Sequence, residues 1–188
     1  MNRGKLIVIL GPSGVGKTTI SKRILENRPN IRYSISATSR SKRKGEKNDR
    51  EYIFLAEKEF KKWVAKGLFV EYAEVHGNFY GTPKRFLEEN LAQGHHVLMD
   101  VDVKGAKRLM KLYPDGLFLF IIPPDIRELE KRLLNRNTDD DAIIRKRLTN
   151  AREEFKHKDD YKYIIENREL EQTIEKILSI IKKEAEGG

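Results

Sequence analysis

The segment that most constrains this chain is Gly11–Thr18, eight residues that fit the pattern G-x-x-x-x-G-K-[ST]. The apolar run Lys5–Leu10 precedes it and predicts a buried parallel strand, and a helix is predicted over Thr19–Asn27. Glycines in such a strand–loop–helix unit let successive backbone N–H groups point at phosphate oxygens. A glycine-rich turn that matched the pattern by chance would lack these neighbours. We therefore interpret Gly11–Thr18 as a phosphate loop that binds a nucleotide.

Two side chains at the end of the phosphate loop carry the expected chemistry. Lys17 supplies a mobile positive charge for the β- and γ-phosphates, and the hydroxyl of Thr18 can bind Mg²⁺. The residues predicted to hold the nucleoside triphosphate are Gly11, Pro12, Ser13, Gly14, Val15, Gly16, Lys17, Thr18 and Thr19.

Apolar runs separated by helical patterns predict the fold class. The runs are Lys5–Leu10, His96–Met99, Leu117–Ile122 and Tyr163–Ile165. This order is typical of an α/β fold like that of P-loop NTPases, with a mostly parallel central sheet flanked by helices.

Two stretches interrupt the regular order. Residues 33–81 contain short strand-like pieces and one helix, which predict a small mixed α/β nucleotide-binding lobe inserted into the core; the pieces are Tyr33–Ser36, Glu51–Leu55 and Leu68–Val75, with the helix near Glu57–Lys66. Residues 136–140 form a polar connection between two arginine-bearing helices and predict a short helical lid. We expect one domain, with its core in residues 1–32, 82–124 and 158–188, the lobe in 33–81 and the lid in 125–157.

Composition limits the compartment and the partners. A chain of 188 residues without Cys suits one domain in a reducing compartment, and no apolar run is long enough for a membrane span, so we expect a cytoplasmic protein without a membrane partner. The net charge of +9 raises the question of nucleic acid, but acidic residues are interspersed among the basic ones. We therefore expect no nucleic acid partner, and a nucleic-acid-binding protein stays an alternative that rests on charge alone.

A second candidate anion site begins in the basic segment Ser36–Glu46. Arg40 and Arg43 carry the planar guanidinium group that grips a phosphate through two hydrogen bonds, although a solvated basic loop fits the charges equally well. Tyr52 and Tyr80 are phenols that can donate hydrogen bonds to phosphate oxygens.

Three carboxylates lie where a ligand could meet them. Glu71 interrupts the apolar stretch Leu68–Ala73, and a group that only accepts hydrogen bonds suits the adjacent N–H donors of guanine. Taken alone, Glu71 is more simply a solvent-facing strand residue. Asp100 and Asp102 end a strand, where ligands of α/β sheets bind, and Asp100 is placed like an acid that supports Mg²⁺. Asp102 is also a candidate helix cap.

Three arginines, Arg132, Arg136 and Arg147, flank the polar connection. A closing lid needs cations to meet the charge on a transferred phosphoryl group, but arginines on amphipathic helices are usually surface residues. The four histidines show no ligand spacing and Cys is absent, so no zinc site is expected.

Together, these motifs resemble the guanylate kinase family from Leu6 to about Ile181. The resemblance rests on the order and spacing of the phosphate loop, Ser36-x-x-x-Arg40-x-x-Arg43-x-Gly45-Glu46, Tyr52, Glu71-Tyr-Ala73, Gly77-Asn-Phe-Tyr-Gly-Thr82, Asp100-Val-Asp102, Pro123-Pro124, the three arginines and Asn167.

The resemblance implies a kinase that transfers the γ-phosphoryl group of ATP to GMP, and to dGMP, in purine nucleotide metabolism. It implies Mg²⁺ as cofactor and a monomer or small homo-oligomer. The GMP phosphate would be held by Arg40, Arg43, Tyr52 and Tyr80, and guanine would be read by Ser36, Glu71, Thr82 and Asp102. Asn167 would lie near the adenine, and Asp100 and Thr18 would support Mg²⁺. The implied catalytic residues are Lys17, Arg43, Arg132, Arg136 and Arg147.

Two other functions are compatible with a phosphate loop. A kinase of another phosphorylated acceptor, such as ribose 1,5-bisphosphate, is one, but Glu71 with Ser36 and Thr82 favours guanine. The other is a catalytically silent guanylate-kinase-like module that binds proteins. Such modules typically lose the working phosphate loop, whereas Lys17 and Thr18 are retained here.

Overall fold

The computed structural model describes residues 3–43, 45–75, 77–125, 127–130, 141–185 and 187, with the backbone alone for 141–146. The elements in chain order are β1 (Leu6–Leu10), α1 (Lys17–Asn27), β2 (Ile31–Tyr33), β3 (Ala37–Thr38), β4 (Ile53–Phe54), α2 (Glu57–Ala65), β5 (Phe69–Val75), β6 (Asn78–Pro83), α3 (Lys84–Ala92), β7 (His96–Asp100), α4 (Val103–Leu112), β8 (Leu117–Ile122), α5 (Asp141–Phe155), a 3₁₀ turn (Lys158–Asp160), β9 (Tyr163–Glu166) and α6 (Leu170–Ala185). None of the helices in these ranges combines the length and apolar character that a membrane span needs.

A five-stranded parallel sheet in the order β2-β7-β1-β8-β9 forms the centre of the fold. Strand β1 pairs with β7 on one side and with β8 on the other. All of its residues are buried because helices cover both faces of the sheet, and this is why the strand is a continuous apolar run in the sequence. The prediction of an α/β fold with a mostly parallel central sheet is confirmed.

Different helix pairs cover the two faces of this sheet. Ile7 and Ile9 pack in one core cluster with residues of α1 and α6. Leu6, Val8 and Leu10 alternate with them and pack in a second cluster with residues of α3 and α4. Since both faces are filled, the ends of the strands are the part of the sheet open to a ligand.

Strand β2 differs from the sequence-based expectation. The piece Tyr33–Ser36 was expected in the inserted lobe, but the strand is Ile31–Tyr33 and it extends the central sheet by pairing with β7. Ser34 continues this edge through a 2.8 Å hydrogen bond from its N–H to the carbonyl oxygen of Leu98. The edge position leaves Arg32 exposed, so β2 has no continuous apolar run that would mark it as a core strand.

A second sheet, in the order β4-β3-β6-β5, is formed by the part of the chain that follows β2 and precedes α3. Strands β5 and β6 form its antiparallel hairpin, and helix α2 covers one part of its face through Phe60. The ring centroid of Phe60 lies 4.5 Å from that of Phe69 and 5.5 Å from that of Phe79. The boundaries of the lobe and the lid stay a prediction.

Candidate active site

A cleft of about 250 Å³ opens at the carboxyl ends of β1 and β7, between the central sheet and the second sheet. Most of the predicted site residues that the structure describes line this cleft: Gly11, Ser13, Gly14, Gly16, Lys17, Thr18, Ser36, Arg40, Arg43, Tyr52, Glu71, Tyr80, Asp100, Asp102 and Arg147. The other described ones, Pro12, Val15, Thr19, Thr82 and Asn167, are not part of its lining. Arg132 and Arg136 lie outside the described residues.

The phosphate loop depends on glycine at the positions where its backbone turns. Gly11 has φ +134°, and a Cβ there would lie 2.1 Å from the carbonyl oxygen of Ile121 on β8. Gly16 precedes α1 in the left-handed conformation, with φ 102°. The ammonium group of Lys17 donates to the carbonyl oxygens of Gly11 at 2.6 Å and Pro12 at 3.2 Å. These contacts hold the lysine charge over the loop.

Asn167 supports the phosphate loop from the end of β9. Its Nδ2 donates to the carbonyl oxygen of Val15 at 2.8 Å, and its Oδ1 accepts from Thr173 Oγ1 at 3.1 Å. Asn167 and Thr173 are both buried, and Asn167 is only 6% exposed. Here the amide group braces the loop, and the role of Asn167 near an adenine stays a prediction.

The basic segment is ordered around Arg40, the first arginine of the predicted anion site. The Arg40 guanidinium makes a two-pronged ion pair with Glu46, with N–O distances of 2.9 and 2.8 Å. Glu46 also accepts the backbone N–H of Arg43 at 2.7 Å, so one carboxylate ties both ends of the turn. The hydrogen bond from Arg40 holds the pKa of Glu46 below its usual range. The alternative of a freely solvated basic loop is therefore wrong for Arg40, whose side chain is 13% exposed.

Two tyrosines of the predicted anion site lie beside Arg40 or beside each other. The Arg40 guanidinium carbon lies 5.3 Å from the ring centroid of Tyr52, and the Tyr52 and Tyr80 centroids are 5.9 Å apart. Burial, followed by the negative charge of Asp100, raises the pKa of Tyr52, so its hydroxyl stays protonated and can donate to a ligand oxygen. The structure thus brings together side chains that are as far apart in the sequence as Arg40 and Tyr80.

Glu71 faces the cleft from β5, because alternate residues of a strand point to the same side. Glu71, Ala73 and Val75 all line the cleft. Glu71 is only 6% exposed, and Oγ1 of Thr82, its partner on β6, donates to its Oε1 at 2.7 Å. Burial raises the pKa of Glu71 to about 7. The simpler interpretation of Glu71 as a solvent-facing residue is wrong.

The two aspartates after β7 make different contacts. Asp102 is the N-cap of α4, and its Oδ1 accepts the backbone N–H of Gly105 at 2.7 Å. Asp100, the last residue of β7, accepts a hydrogen bond at Oδ1 from the hydroxyl of Tyr33. Burial, together with the Asp100 charge, raises the pKa of Tyr33, so the phenol remains a donor.

The oxygen atoms of the cleft fit Mg²⁺ bound chiefly through a nucleotide. The Thr18 hydroxyl and the Asp100 carboxylate line the same cleft and are hard oxygen ligands. Among the residues with described positions, no group of three or more His, Cys, Asp or Glu side chains could hold a metal. Because Mg²⁺ commonly takes one or two protein oxygens and completes its shell with phosphates and water, this sparse donor set is suitable.

Helix α5 contributes Arg147 and Glu154 to the cleft. They are seven residues apart, which puts them on one face of the helix two turns from each other. Burial raises the pKa of Glu154 to about 7, while nearby Lys17 favours its charged form. This carboxylate therefore adds a titratable group next to the phosphate loop.

Sequence reasoning assigned no role to three residues that the structure places in or against the site. The sequence could have indicated a role for Glu46, because an acidic residue three positions after Arg43 in a basic segment is expected to pair with the nearby basic groups. Glu154 had a weaker signal in its helical spacing from Arg147. Tyr33 had none, since it lies 67 residues from Asp100.

Comparisons with known proteins agree with this geometry. The guanylate kinase family model matches residues 3–184. Guanylate kinase of Carboxydothermus hydrogenoformans is 45% identical over 184 residues, which cover 98% of this chain and 90% of that protein. Guanylate kinase of Thermotoga maritima is 41% identical over 182 residues, covering 97% and 88%.

A solved structure gives the same result in three dimensions. The crystal structure of guanylate kinase from Anaplasma phagocytophilum superposes with a TM-score of 0.83 at 33% identity, covering 98% of this chain and 88% of that one. Family model, relatives and structure each span nearly the whole chain. Since the family model and relatives of more than 40% identity cover almost all of its residues, the chain belongs to the guanylate kinase family.

Proposed function

We propose that this protein transfers the γ-phosphoryl group of Mg-ATP to GMP, and to dGMP, giving ADP and GDP or dGDP. One observation carries the proposal: a single cleft is lined by the phosphate loop with Lys17, by Arg40 and by the buried Glu71. A donor triphosphate and an acceptor phosphate can thus lie in one enclosed space, which is the first requirement of phosphoryl transfer.

The cleft would offset the repulsion between two phosphate groups. Bringing two anions into line is unfavourable unless cations surround them. Lys17 would meet the donor phosphates, while Arg40 and Arg43 would hold the acceptor phosphate with hydrogen bonds from Tyr52 and Tyr80. The acceptor must compete with Glu46 for Arg40, or share it, because that guanidinium already forms two hydrogen bonds.

Guanine recognition would depend on Glu71. A charged carboxylate accepts from the adjacent N–H groups of guanine, which adenine lacks in that arrangement. Thr82 orients Glu71 through their hydrogen bond, and Ser36 and Asp102 line the same cleft. A buried acceptor of this kind discriminates strongly because a wrong base leaves it unpaired.

Thr18 and Asp100 would hold the metal ion. When bound, Mg²⁺ neutralises the charge that develops between the β- and γ-phosphates. Arg147, together with Arg132 and Arg136, would add positive charge and exclude water when the lid closes. We further propose a cytoplasmic enzyme, active as a monomer or small homo-oligomer, whose partners are nucleotides and not nucleic acids or membranes.

A panel of acceptors tests this function. The purified protein is assayed with Mg-ATP and GMP, dGMP, AMP, UMP, CMP or ribose 1,5-bisphosphate, and ADP formation is followed. We expect turnover with GMP and dGMP well above the others. The Lys17→Ala variant, purified in the same way, reports any contaminating kinase. A preference for another acceptor supports the alternative kinase, and no turnover with any acceptor supports the silent module.

A further inference from the structure

Tyr33 is a tyrosine whose polar end reaches the candidate active site from outside its lining. It is the last residue of β2, opposite Leu98 of β7, and its ring packs against the central core cluster. Its hydroxyl donates to Oδ1 of Asp100, which ends β7 and lines the cleft. The neighbouring strand therefore supplies a fixed donor for this carboxylate.

The hydrogen bond restricts the carboxylate of Asp100. Among the described residues, only Tyr33 donates a hydrogen bond to the Asp100 carboxylate. A carboxylate at the end of a strand can otherwise turn about its side-chain torsions, whereas a donor anchored in a packed core holds one oxygen in place. The second oxygen is then left for a ligand of the cleft, which Thr18 and the phosphate loop also line.

We propose that Tyr33 is a positioning residue that orients Asp100 toward the metal–nucleotide complex. The proposal rests on the proposed function, because it assigns Asp100 to the binding of Mg²⁺ with the donor nucleotide. Tyr33 itself touches neither the substrates nor the metal. Its effect passes through Asp100, so it should vanish when the Asp100 carboxylate is removed.

The test is the gain in ADP affinity that Mg²⁺ produces, measured by calorimetry in Mg²⁺ and in EDTA without any acceptor. Tyr33→Phe keeps the packed ring and removes only the hydroxyl. We expect the Mg²⁺-dependent gain to fall about three- to tenfold, within the range for losing one typical intramolecular hydrogen bond, while the affinity in EDTA is unchanged. In turnover, kcat should fall while the KM for GMP stays the same.

Tyr163→Phe is the matched control. The hydroxyl of Tyr163 also donates to a carboxylate, that of Glu184, and neither residue lines the cleft. This variant loses the same kind of hydrogen bond and should keep the full Mg²⁺-dependent gain. If both tyrosine variants lower the unfolding midpoint and neither changes that gain, Tyr33 has a structural role only and the proposal is overturned.

The variant Asp100→Asn completes a double-mutant cycle. It should reduce the Mg²⁺-dependent gain by itself, and Tyr33→Phe should add nothing in that background. Additive losses, or an Asp100→Asn variant with the wild-type gain, would overturn the positioning role. Because these measurements involve no acceptor, their failure is distinct from a failure to phosphorylate GMP, which the acceptor panel detects.

Discussion

Lys17 belongs to the part of the cleft that the phosphate loop forms. Its ammonium group lies over the phosphate loop, bound to Gly11 and Pro12, whereas the proposed acceptor site consists of residues of the second sheet and of the segment around Arg40. The two substrates should therefore respond separately to changes on either side.

We predict that Lys17→Ala lowers kcat by about a hundredfold or more, since one preorganised cation that meets developing charge typically contributes that much. Binding of GMP, measured by calorimetry, should stay at the wild-type level. Lys22→Ala, an exposed lysine on the same helix that does not line the cleft, is the control and should leave both values unchanged. Loss of GMP binding in Lys17→Ala would contradict the division into two sites.

Single residues also show where sequence reasoning stops. The positions of Gly11, Gly16 and Lys17 could be predicted because neighbouring residues along the chain build the loop. The contact between Tyr33 and Asp100 could not, because it depends on which strands are neighbours in the sheet. The amide of Asn167 was expected near a base, and its hydrogen bonds to Val15 and Thr173 depend on burial that no local pattern reveals.

Helix α4 shows two requirements meeting in one side chain. Asp102 caps the helix through the N–H of Gly105 and also lines the cleft. The close packing around it is visible at Gly105, where a Cβ would lie 2.7 Å from Oε2 of Glu71. The start of this helix thus brings the cap and the buried carboxylate together.

We predict that Asp102→Ala and Asp102→Asn separate these two requirements. The alanine variant should lose about 1 kcal/mol of unfolding free energy, whereas asparagine caps a helix as well as aspartate and should retain it. Both variants should raise the KM for GMP, because both remove the charge. Denaturant unfolding and steady-state kinetics measure the two effects, and a wild-type KM in Asp102→Asn would leave Asp102 as a cap only.

Helices and strands were predicted more accurately where their own residues form a clear apolar pattern. The buried strands β1 and β8 have continuous apolar runs, and their bounds were predicted closely. Strand β2 has one exposed residue among three and was assigned to the wrong sheet. The hairpin strand β6 and the helix α3 were not predicted as elements at all, because the motif Gly77–Thr82 was interpreted only for its side chains.

At the scale of the whole molecule, Glu71 couples the stability of the fold to pH. The carboxyl group titrates near 4.5 when unfolded and near 7 when folded, chiefly because it is buried. Between these values the folded protein keeps a proton that the unfolded chain has lost. The free energy of unfolding therefore decreases as the pH rises from about 4.5 to about 7 and stays lower above that range.

We predict that Glu71→Gln removes the contribution of Glu71 to the pH dependence of the unfolding free energy. Glutamine keeps an acceptor for Thr82 and cannot ionise, so at about pH 8 the variant should be more stable than the wild type by about 3 kcal/mol, and at about pH 4 the two should be equal. Denaturant unfolding at both pH values measures the difference. Glu57→Gln, an exposed glutamate paired with Lys61, is the control and should change neither value.

The same variant should bind GMP more weakly, because it presents an NH₂ group to the donors of guanine. If the variant and the wild type were equally stable at both pH values, the raised pKa of the buried carboxyl group would be contradicted. An unchanged KM for GMP would remove Glu71 from the site. A protein that gains stability while losing its substrate is the expected signature of a residue retained for function.

The hydrogen bond between Asn167 and Val15 determines the stage of synthesis at which the phosphate loop can gain its support. The two residues are separated by 152 positions, and Asn167 is further tied to β8 by its N–H bonded to Ile122. Because a chain is synthesised from its N-terminus, the phosphate loop is made well before the side chain that supports it. A chain that stops before β9 contains the complete loop motif without its support. The loop motif alone is therefore not sufficient for the braced loop, which can form only after the residues up to Asn167 and Thr173 have been made.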